Sequence, residues 1–240
     1  MKILIFSLTI AITQAMLLPQ AVADSSNASE IKLNKASKAM RMPMYLPPRR
    51  GAPNIRVGGG TRGLSGTAPV IQALAPEHVG LTAKEQPTLS WYMSKPGSMR
   101  VEILLANEDE MDPLLELTID ASKLKGGIQS LNLADYGVKL KPGKQYQWSV
   151  VLVPEAGHRS GDIISSGMIE LNKVSGALKT KLSKSKSQDN VYIYAQEGYW
   201  YDAIAELTGL IKKDPGNELL KQQRQDLLKQ VGLLDFNIDK

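Results

Sequence analysis

Histidine, serine and aspartate form the catalytic triad, or proton relay, of serine hydrolases. They occur together once in this 240-residue chain, in the run His158-Arg159-Ser160-Gly161-Asp162. A relay needs its side chains to converge in space, which close neighbours on one loop cannot easily do. The G-x-S-x-G turn of many serine hydrolases is absent as well. A turn therefore explains the run better. Gly161 would bend the chain, and Asp162 or Ser160 would bond to local backbone. Arg159 would pair with a carboxylate. We expect Arg159 and Asp162 to be structural, and hydrolysis is the least favoured function.

Carboxylates cluster at four nearby positions, which suggests a cation site: Glu108, Asp109, Glu110 and Asp112. Calcium prefers such oxygen ligands, but the spacing and the glycine of an EF-hand loop are absent, so a solvated loop is favoured. The chain has no cysteine and two histidines, which argues against disulfides, thiolate metal sites and a multi-histidine centre. We predict no catalytic residue, no cofactor and no metal site, and leave calcium at the acidic loop open.

Two basic segments contribute to the net charge of +5. Residues 32–62 contain eight basic side chains and no acid, and residues 173–186 contain five lysines and no acid. Such segments attract anionic lipid, glycan or nucleic acid. Neither has the interleaved aromatics that stack on bases, so we predict no nucleic-acid partner. The run GGGTRG at residues 58–63 lacks the spacing and the Lys-Ser/Thr end of a phosphate-binding loop. A solvated linker is the favoured interpretation of both segments.

Aromatic side chains are concentrated near the C-terminus, where five of the thirteen lie between residues 192 and 201. A short helical hairpin cannot turn all of them inward, so we expect some to be exposed. Exposed aromatics mark partner or sugar-binding surfaces. The residues predicted to bind a partner are Tyr194, Tyr199, Trp200 and Tyr201. Packing of this hairpin on the rest of the protein is the alternative.

The N-terminus has the composition of a cleaved secretory signal peptide over residues 1–23. Lys2 gives a positive start, residues 3–18 carry no charge, and Ala21-Val22-Ala23 is a small-residue cleavage site. We expect a soluble periplasmic or secreted protein. Residues 24–66 are basic and poor in large apolar side chains, so we expect a flexible segment or a strap lying over the domain.

The best-patterned strand lies within residues 140–153, LKPGKQYQWSVVLV. Its alternate residues point to one core: Tyr146, Trp148, Val150 and Leu152. Pro142 and Gly143 predict a sharp turn before it. A tyrosine just after such a turn can bond back to the upstream backbone, as in the tyrosine corner of Greek-key sandwiches. We expect Pro142, Tyr146 and Trp148 to be structural.

Six further segments have strand signals with turn residues between them: residues 70–74, 88–93, 100–105, 114–119, 128–133 and 163–171. Together with the central strand they predict a seven-stranded antiparallel sandwich over residues 67–172, with Trp91 as a structural residue. The predicted fold class is mainly β. Its closest architecture is the fibronectin type III or immunoglobulin-like sandwich, which carries no function by itself.

A short helical region follows, over residues 187–232. Residues 176–187 are basic and expected to fray, whereas residues 189–197 and 200–213 have helical spacing. Asn217 can cap a last helix that runs to about Val231. One hairpin in this region resembles a single tetratricopeptide unit. Because one unit cannot bury its own face, it must dock on the sandwich, on a neighbouring chain or on a partner.

Five motifs in order resemble the bacterial domain-of-unknown-function 928 family: GGGTRG at 58–63, GLTAKEQPTLSWYM at 80–93, LKPGKQYQWSV at 140–150, HRSGD at 158–162 and YAQEGYWYDAI at 194–204. The similarity spans nearly all of the mature chain. It implies an exported protein with no assigned activity and no assigned catalytic residues.

The sequence as a whole predicts a non-enzymatic interaction module, periplasmic or secreted, that binds an envelope or secreted protein. The alternative is a binder of anionic envelope glycan or lipid that uses the two basic segments.

Overall fold

The computed structural model describes residues 41–48, 69–95, 99–107, 109–155 and 157–233. Residues 42–240 belong to one compact unit, and residues 1–41 to another, of which Arg41 alone is described. The predicted signal peptide, the GGGTRG run and most of the first basic segment therefore lie outside the described residues.

Eight strands in the described part form two sheets. Their bounds are β1 Ile71–Ala73, β2 Gly80–Thr82, β3 Thr88–Met93, β4 Arg100–Ala106, β5 Leu115–Asp120, β6 Gly127–Asn132, β7 Gln145–Val153 and β8 Ile163–Leu171. One sheet has the order β1-β3-β6 and the other the order β2-β8-β7-β4-β5. The strand pairs are antiparallel except β2 with β8, which is parallel.

Four helices of the described residues follow the strands: α1 Gly176–Lys184, α2 Ser187–Gln196, α3 Trp200–Lys213 and α4 Glu218–Gln230. The Ser175 side chain caps α1 by accepting from the backbone N–H of Leu178 at 3.2 Å. Asn217 caps α4 in the same way. Gly198, with φ of +81°, lies in the short turn between α2 and α3 and adopts a conformation that favours glycine. Among the described helices, none is long and apolar enough to span a bilayer.

Two parts of the fold prediction are wrong. The fold is mixed α/β rather than mainly β, because helices and strands occupy similar numbers of residues. The described residues form eight strands, and one pair is parallel, so a seven-stranded antiparallel sandwich does not describe them. The additional strand, β2, has three residues that are all buried, so it shows no alternation to detect. Residues 176–184, expected to fray, form α1 because Ser175 caps the helix and Leu178 is buried.

The predicted central strand is β7, which lies between β4 and β8 in the five-stranded sheet. Its predicted core residues are completely buried: Tyr146, Trp148, Val150 and Leu152. The backbone N–H of Lys141 donates to the Tyr146 hydroxyl at 3.0 Å, which is the hydrogen bond of a tyrosine corner. Gly143 in the preceding turn has φ of +72°. Pro142 forms a bridge with Leu171 at the end of β8. Trp91, on β3 of the other sheet, is also buried.

Candidate functional site

The four aromatic residues predicted to bind a partner are buried, so the expected exposure is wrong. Tyr194, Tyr199, Trp200 and Tyr201 are each less than a tenth exposed. They lie on α2, in the turn after it and in the first turn of α3, and α3 packs against β2 and β3. The alternative interpretation, packing of the hairpin on the strands, describes their position.

Two of these side chains connect α3 to the strands by buried hydrogen bonds. The Trp148 indole N–H donates to the Tyr201 hydroxyl at 2.8 Å, and that hydroxyl donates to the Met168 carbonyl at 2.9 Å. The Trp200 indole N–H donates to the Leu74 carbonyl, also at 2.8 Å. Burial raises the pKa of Tyr201, which keeps its hydroxyl protonated and able to donate. These contacts fix the helical layer on the strands.

Asp202, the next residue of α3, is a buried carboxyl group that is 2% exposed. Its Oδ2 accepts the backbone N–H of Ala83, just after β2, at 2.7 Å. Its Oδ1 is buried without a hydrogen-bond partner among the described residues. Burial raises the pKa of Asp202 to about 6, against the opposing effects of the Ala83 N–H and of Lys84. Asp202 therefore joins α3 to the chain after β2, and its carboxyl loses its proton only as the pH rises through about 6.

A segment far earlier in the chain lies against the helical layer. We call residues 42–48, MPMYLPP, the strap. The backbone N–H of Leu46 donates to the Ala195 carbonyl near the end of α2 at 3.0 Å. The side-chain amide of Gln230, at the end of α4, bonds to the strap backbone twice. Its Oε1 accepts the N–H of Tyr45 at 2.7 Å, and its Nε2 donates to the Pro43 carbonyl at 3.0 Å.

The aromatic ring of Tyr45 is buried in the protein, with 6% of the residue exposed, and Pro43 of the strap is buried as well. The ring lies edge-on to Trp200, with centroids 5.1 Å apart, and is stacked on His78 at 5.8 Å. The Tyr45 hydroxyl and Nε2 of His78 share a hydrogen bond of 2.8 Å. Burial raises the pKa of Tyr45 and lowers the pKa of His78, so both groups are favoured in their neutral forms.

A cavity of about 270 Å³ remains next to Tyr45, and its lining residues come from the strap, the loop before β2 and the end of α4: Tyr45, Pro47, Glu77, His78, Gln230, Val231 and Gly232. We call the surface formed by Ala195, Gly198, Trp200, His78 and Gln230 the strap groove. Its polar contacts, the inserted tyrosine and the unfilled space make it the candidate binding site of the described chain.

The His158 run forms no relay in the described structure. His158 is largely exposed and pairs with Glu155 at 3.0 Å. Arg159 contacts the carboxylates of Asp162 and Glu102, at 2.8 and 2.7 Å. The hydrogen bond from Arg159 lowers the pKa of Glu102. Arg159 therefore ties the loop before β8 to β4.

The acidic loop contacts the turn that carries the tyrosine corner. Asp109 pairs with Lys144, and Glu110 pairs with Lys141 at 2.9 Å. Glu108 lies outside the described residues. Within the described ranges, no three acidic or histidine side chains group as a metal site would require.

Sequence reasoning missed the three side chains that define the strap groove, Tyr45, His78 and Gln230. One signal was available, because Tyr45 is the only aromatic residue between residues 24 and 66 and is flanked by prolines at 43, 47 and 48. His78 and Gln230 have no local pattern that separates them from surface residues.

The described chain is therefore a mixed α/β protein in which a helical layer, fixed on two sheets, holds an extended segment of the same chain. A family model described as Domain of Unknown Function (DUF928) matches residues 57–239. The chain belongs to this family, which confirms the resemblance carried by its motifs. The strap lies before the matched range, and the residues of the strap groove lie within it. No curated protein matches the chain.

Proposed function

We propose that this protein is a non-enzymatic interaction module, periplasmic or secreted, that binds an envelope or secreted protein at the strap groove. One observation carries the proposal: the helical layer holds an extended segment through backbone hydrogen bonds and one inserted aromatic side chain. Protein modules that recognise extended peptides use this combination, because backbone bonds give affinity and a side-chain pocket gives selectivity.

The sheets would act as the scaffold for this surface. The hydrogen bond from Lys141 to Tyr146 supports a relation to fibronectin type III or immunoglobulin-like sandwiches, in which tyrosine corners recur. The α2–α3 hairpin would be a single tetratricopeptide-like unit that docks on the same chain, as the buried Trp200 and Tyr201 suggest.

Site-specific crosslinking in the native cells tests the proposal. A photoreactive amino acid at Glu77, which lines the cavity and is exposed, should give adducts with one or a few defined envelope proteins. The matched control is Ile164, a 45% exposed residue on the five-stranded sheet, which should not give them. Absence of adducts at Glu77, or the same adducts at both positions, would count against the proposal. Fractionation of cells with and without residues 1–23 tests the export.

A second candidate is binding to anionic glycan or lipid. Its support is α1 and its flanks, where five exposed lysines lie at 173, 179, 181, 184 and 186. Lys181 pairs with Glu197 at 2.6 Å. Replacement of the other four by glutamine should abolish binding to anionic vesicles, and wild-type binding should weaken steeply with salt. Vesicle binding that is insensitive to salt would exclude this mode.

A further inference from the structure

The strap is held as a bound peptide is held, through its backbone. Gln230 accepts the N–H of Tyr45 and donates to the carbonyl of Pro43, so one side-chain amide satisfies both polar groups of a short extended stretch. The Leu46 N–H bonds to the Ala195 carbonyl in the last turn of α2, which also accepts the N–H of Gly198 at 3.2 Å. These three bonds depend on an extended backbone and not on the identity of the side chains, so another segment can make them.

Selectivity in the groove comes from the buried side chains of the strap, Tyr45 and Pro43. Tyr45 is buried, whereas its neighbours Met44 and Leu46 are 62% and 50% exposed. Prolines at positions 43, 47 and 48 favour the extended conformation before binding, which lowers the entropy lost when the segment docks. The strap therefore has the composition of a ligand, with an aromatic anchor, a buried proline and a stiff backbone.

The groove is shaped to admit a backbone. Gly198 has φ of +81°, and a Cβ atom built there would lie 3.0 Å from the Leu46 carbonyl oxygen. Any side chain at this position would both strain the turn and press on the strap. Glycine at 198 thus permits the close approach that the bond from Leu46 to Ala195 requires.

The strap does not fill its site. About 270 Å³ remains beside the Tyr45 ring, and exposed Glu77 and half-buried His78 line one part of that space. A segment with the same tyrosine and a longer or bulkier neighbour would keep the strap's contacts and add new ones. A partner segment can therefore bind more tightly than the strap does.

We propose that the strap groove binds an extended, proline-flanked tyrosine segment of a partner protein, and that residues 42–48 occupy it as an intramolecular copy of that ligand. The inference rests on the proposed interaction function and names its ligand. An intramolecular occupant lowers the apparent affinity for a free peptide by the fraction of molecules in which the groove is empty. Removal of the strap's anchor therefore opens the site.

The test uses the full chain and a fluorescein-labelled peptide of residues 42–48, MPMYLPP, followed by fluorescence anisotropy. The variant Tyr45→Ala removes the anchor of the strap and leaves the groove intact. We expect the peptide to bind this variant about 10-fold or more tightly than it binds the wild type. A peptide with alanine in place of its tyrosine should not bind.

Two substitutions on α4 give a matched pair in the Tyr45→Ala background. Gln230→Leu removes both bonds to the peptide backbone and should weaken binding by about 10-fold or more. Gln222→Leu changes an exposed glutamine of the same helix and should leave binding unchanged. Equal effects of the two substitutions would show that the peptide binds elsewhere and would overturn the proposal.

A second variant covers the case in which Tyr45→Ala does not fold, as judged by circular dichroism. Leu46→Pro removes the N–H that bonds to Ala195 and changes a half-exposed side chain without emptying the core. If neither variant folds, the strap is a fixed part of the fold and the proposal is wrong. It is also wrong if a folded variant fails to bind the peptide.

A second copy of the chain is the competing occupant. If the wild type is a dimer that Leu46→Pro converts to a monomer, the groove takes the strap of another copy, and the partner-peptide proposal is overturned. Light scattering after size exclusion gives this answer. If crosslinks form at Glu77 but the peptide does not bind, the proposed interaction function is retained and only its proposed ligand is excluded.

Discussion

Asp202→Asn should change how the stability of this protein depends on pH. Burial raises the pKa of the Asp202 carboxyl from 3.8 to about 6. A carboxyl with a higher pKa in the folded state binds its proton more tightly there. Its contribution to stability is complete below pH 3.8 and is lost as the pH rises through about 6. The rise corresponds to about 3 kcal/mol of unfolding free energy, since each pKa unit is about 1.4 kcal/mol.

The asparagine variant cannot ionise at this position, and its side-chain oxygen can still accept the N–H of Ala83. Its amide N–H₂ stands where Oδ1 is buried without a partner, and a donor left unpaired there costs about 1–3 kcal/mol at every pH. That cost does not depend on pH, so it lowers the unfolding free energy of the variant by the same amount at every pH. The difference in unfolding free energy, variant minus wild type, should therefore rise by up to about 3 kcal/mol between pH 4 and pH 7.5.

Urea unfolding at half-unit steps of pH measures this difference. Contributions from titrating groups that do not interact with Asp202 are shared by the two proteins and cancel, whereas Lys84 and Glu206 interact with its charge. Asp135→Asn, which makes the same chemical change at an exposed carboxyl, is the matched control. A flat difference for Asp202→Asn, or one that falls as the pH rises, would refute the assignment of a tightly held proton to this carboxyl.

Three further substitutions test the packing that supports the groove, and urea unfolding measures each of them. Gly167→Ala should destabilise the protein by about 1–3 kcal/mol or more, because its Cβ would lie 2.1 Å from that of Ala75. Ala75→Gly should restore most of this loss, and Gly161→Ala, in open space, should have little effect. Tyr146→Phe should cost about 1 kcal/mol through the lost bond to backbone. Tyr201→Phe should cost about 1–3 kcal/mol, since it leaves a buried indole N–H without an acceptor. A loss below about 0.5 kcal/mol for Gly167→Ala, Tyr146→Phe or Tyr201→Phe would contradict the contact that the substitution was chosen to test.

Local sequence patterns were sufficient to predict the strands and helices that bury one face over many residues. The alternation in β7 and the helical spacing in α3 each repeat often enough to identify the element, and the bounds of α3 match the prediction. β2 is too short to repeat, and its parallel pairing with β8 depends on residues 169–171, far along the chain. Helix α1 buries one leucine among exposed lysines, so its apolar pattern is almost absent.

The candidate site could not be predicted for a different reason. Whether an aromatic side chain is exposed depends on what packs against it, and the partners of Trp200 and Tyr201 lie on strands distant in sequence. The prediction left open whether the hairpin docks on the sandwich or on a partner, and it therefore expected part of the aromatic face to be exposed. The strap was harder still to predict from the sequence, because Gln230 bonds to Tyr45 and Pro43, which precede it by 185 and 187 positions.

Three consecutive residues at the start of α3 explain why the groove is rigid enough to select a segment. Trp200 contacts Leu74 and the ring of Tyr45, Tyr201 bonds to Trp148 on the five-stranded sheet, and Asp202 bonds to the backbone after β2. Successive residues of a helix point about 100° apart, so these contacts fix the helix end from three directions. The wall that meets Tyr45 is therefore held on the strands by three contacts that do not involve the strap. The proposed exchange of segments requires that these contacts keep the shape of the groove when the strap leaves.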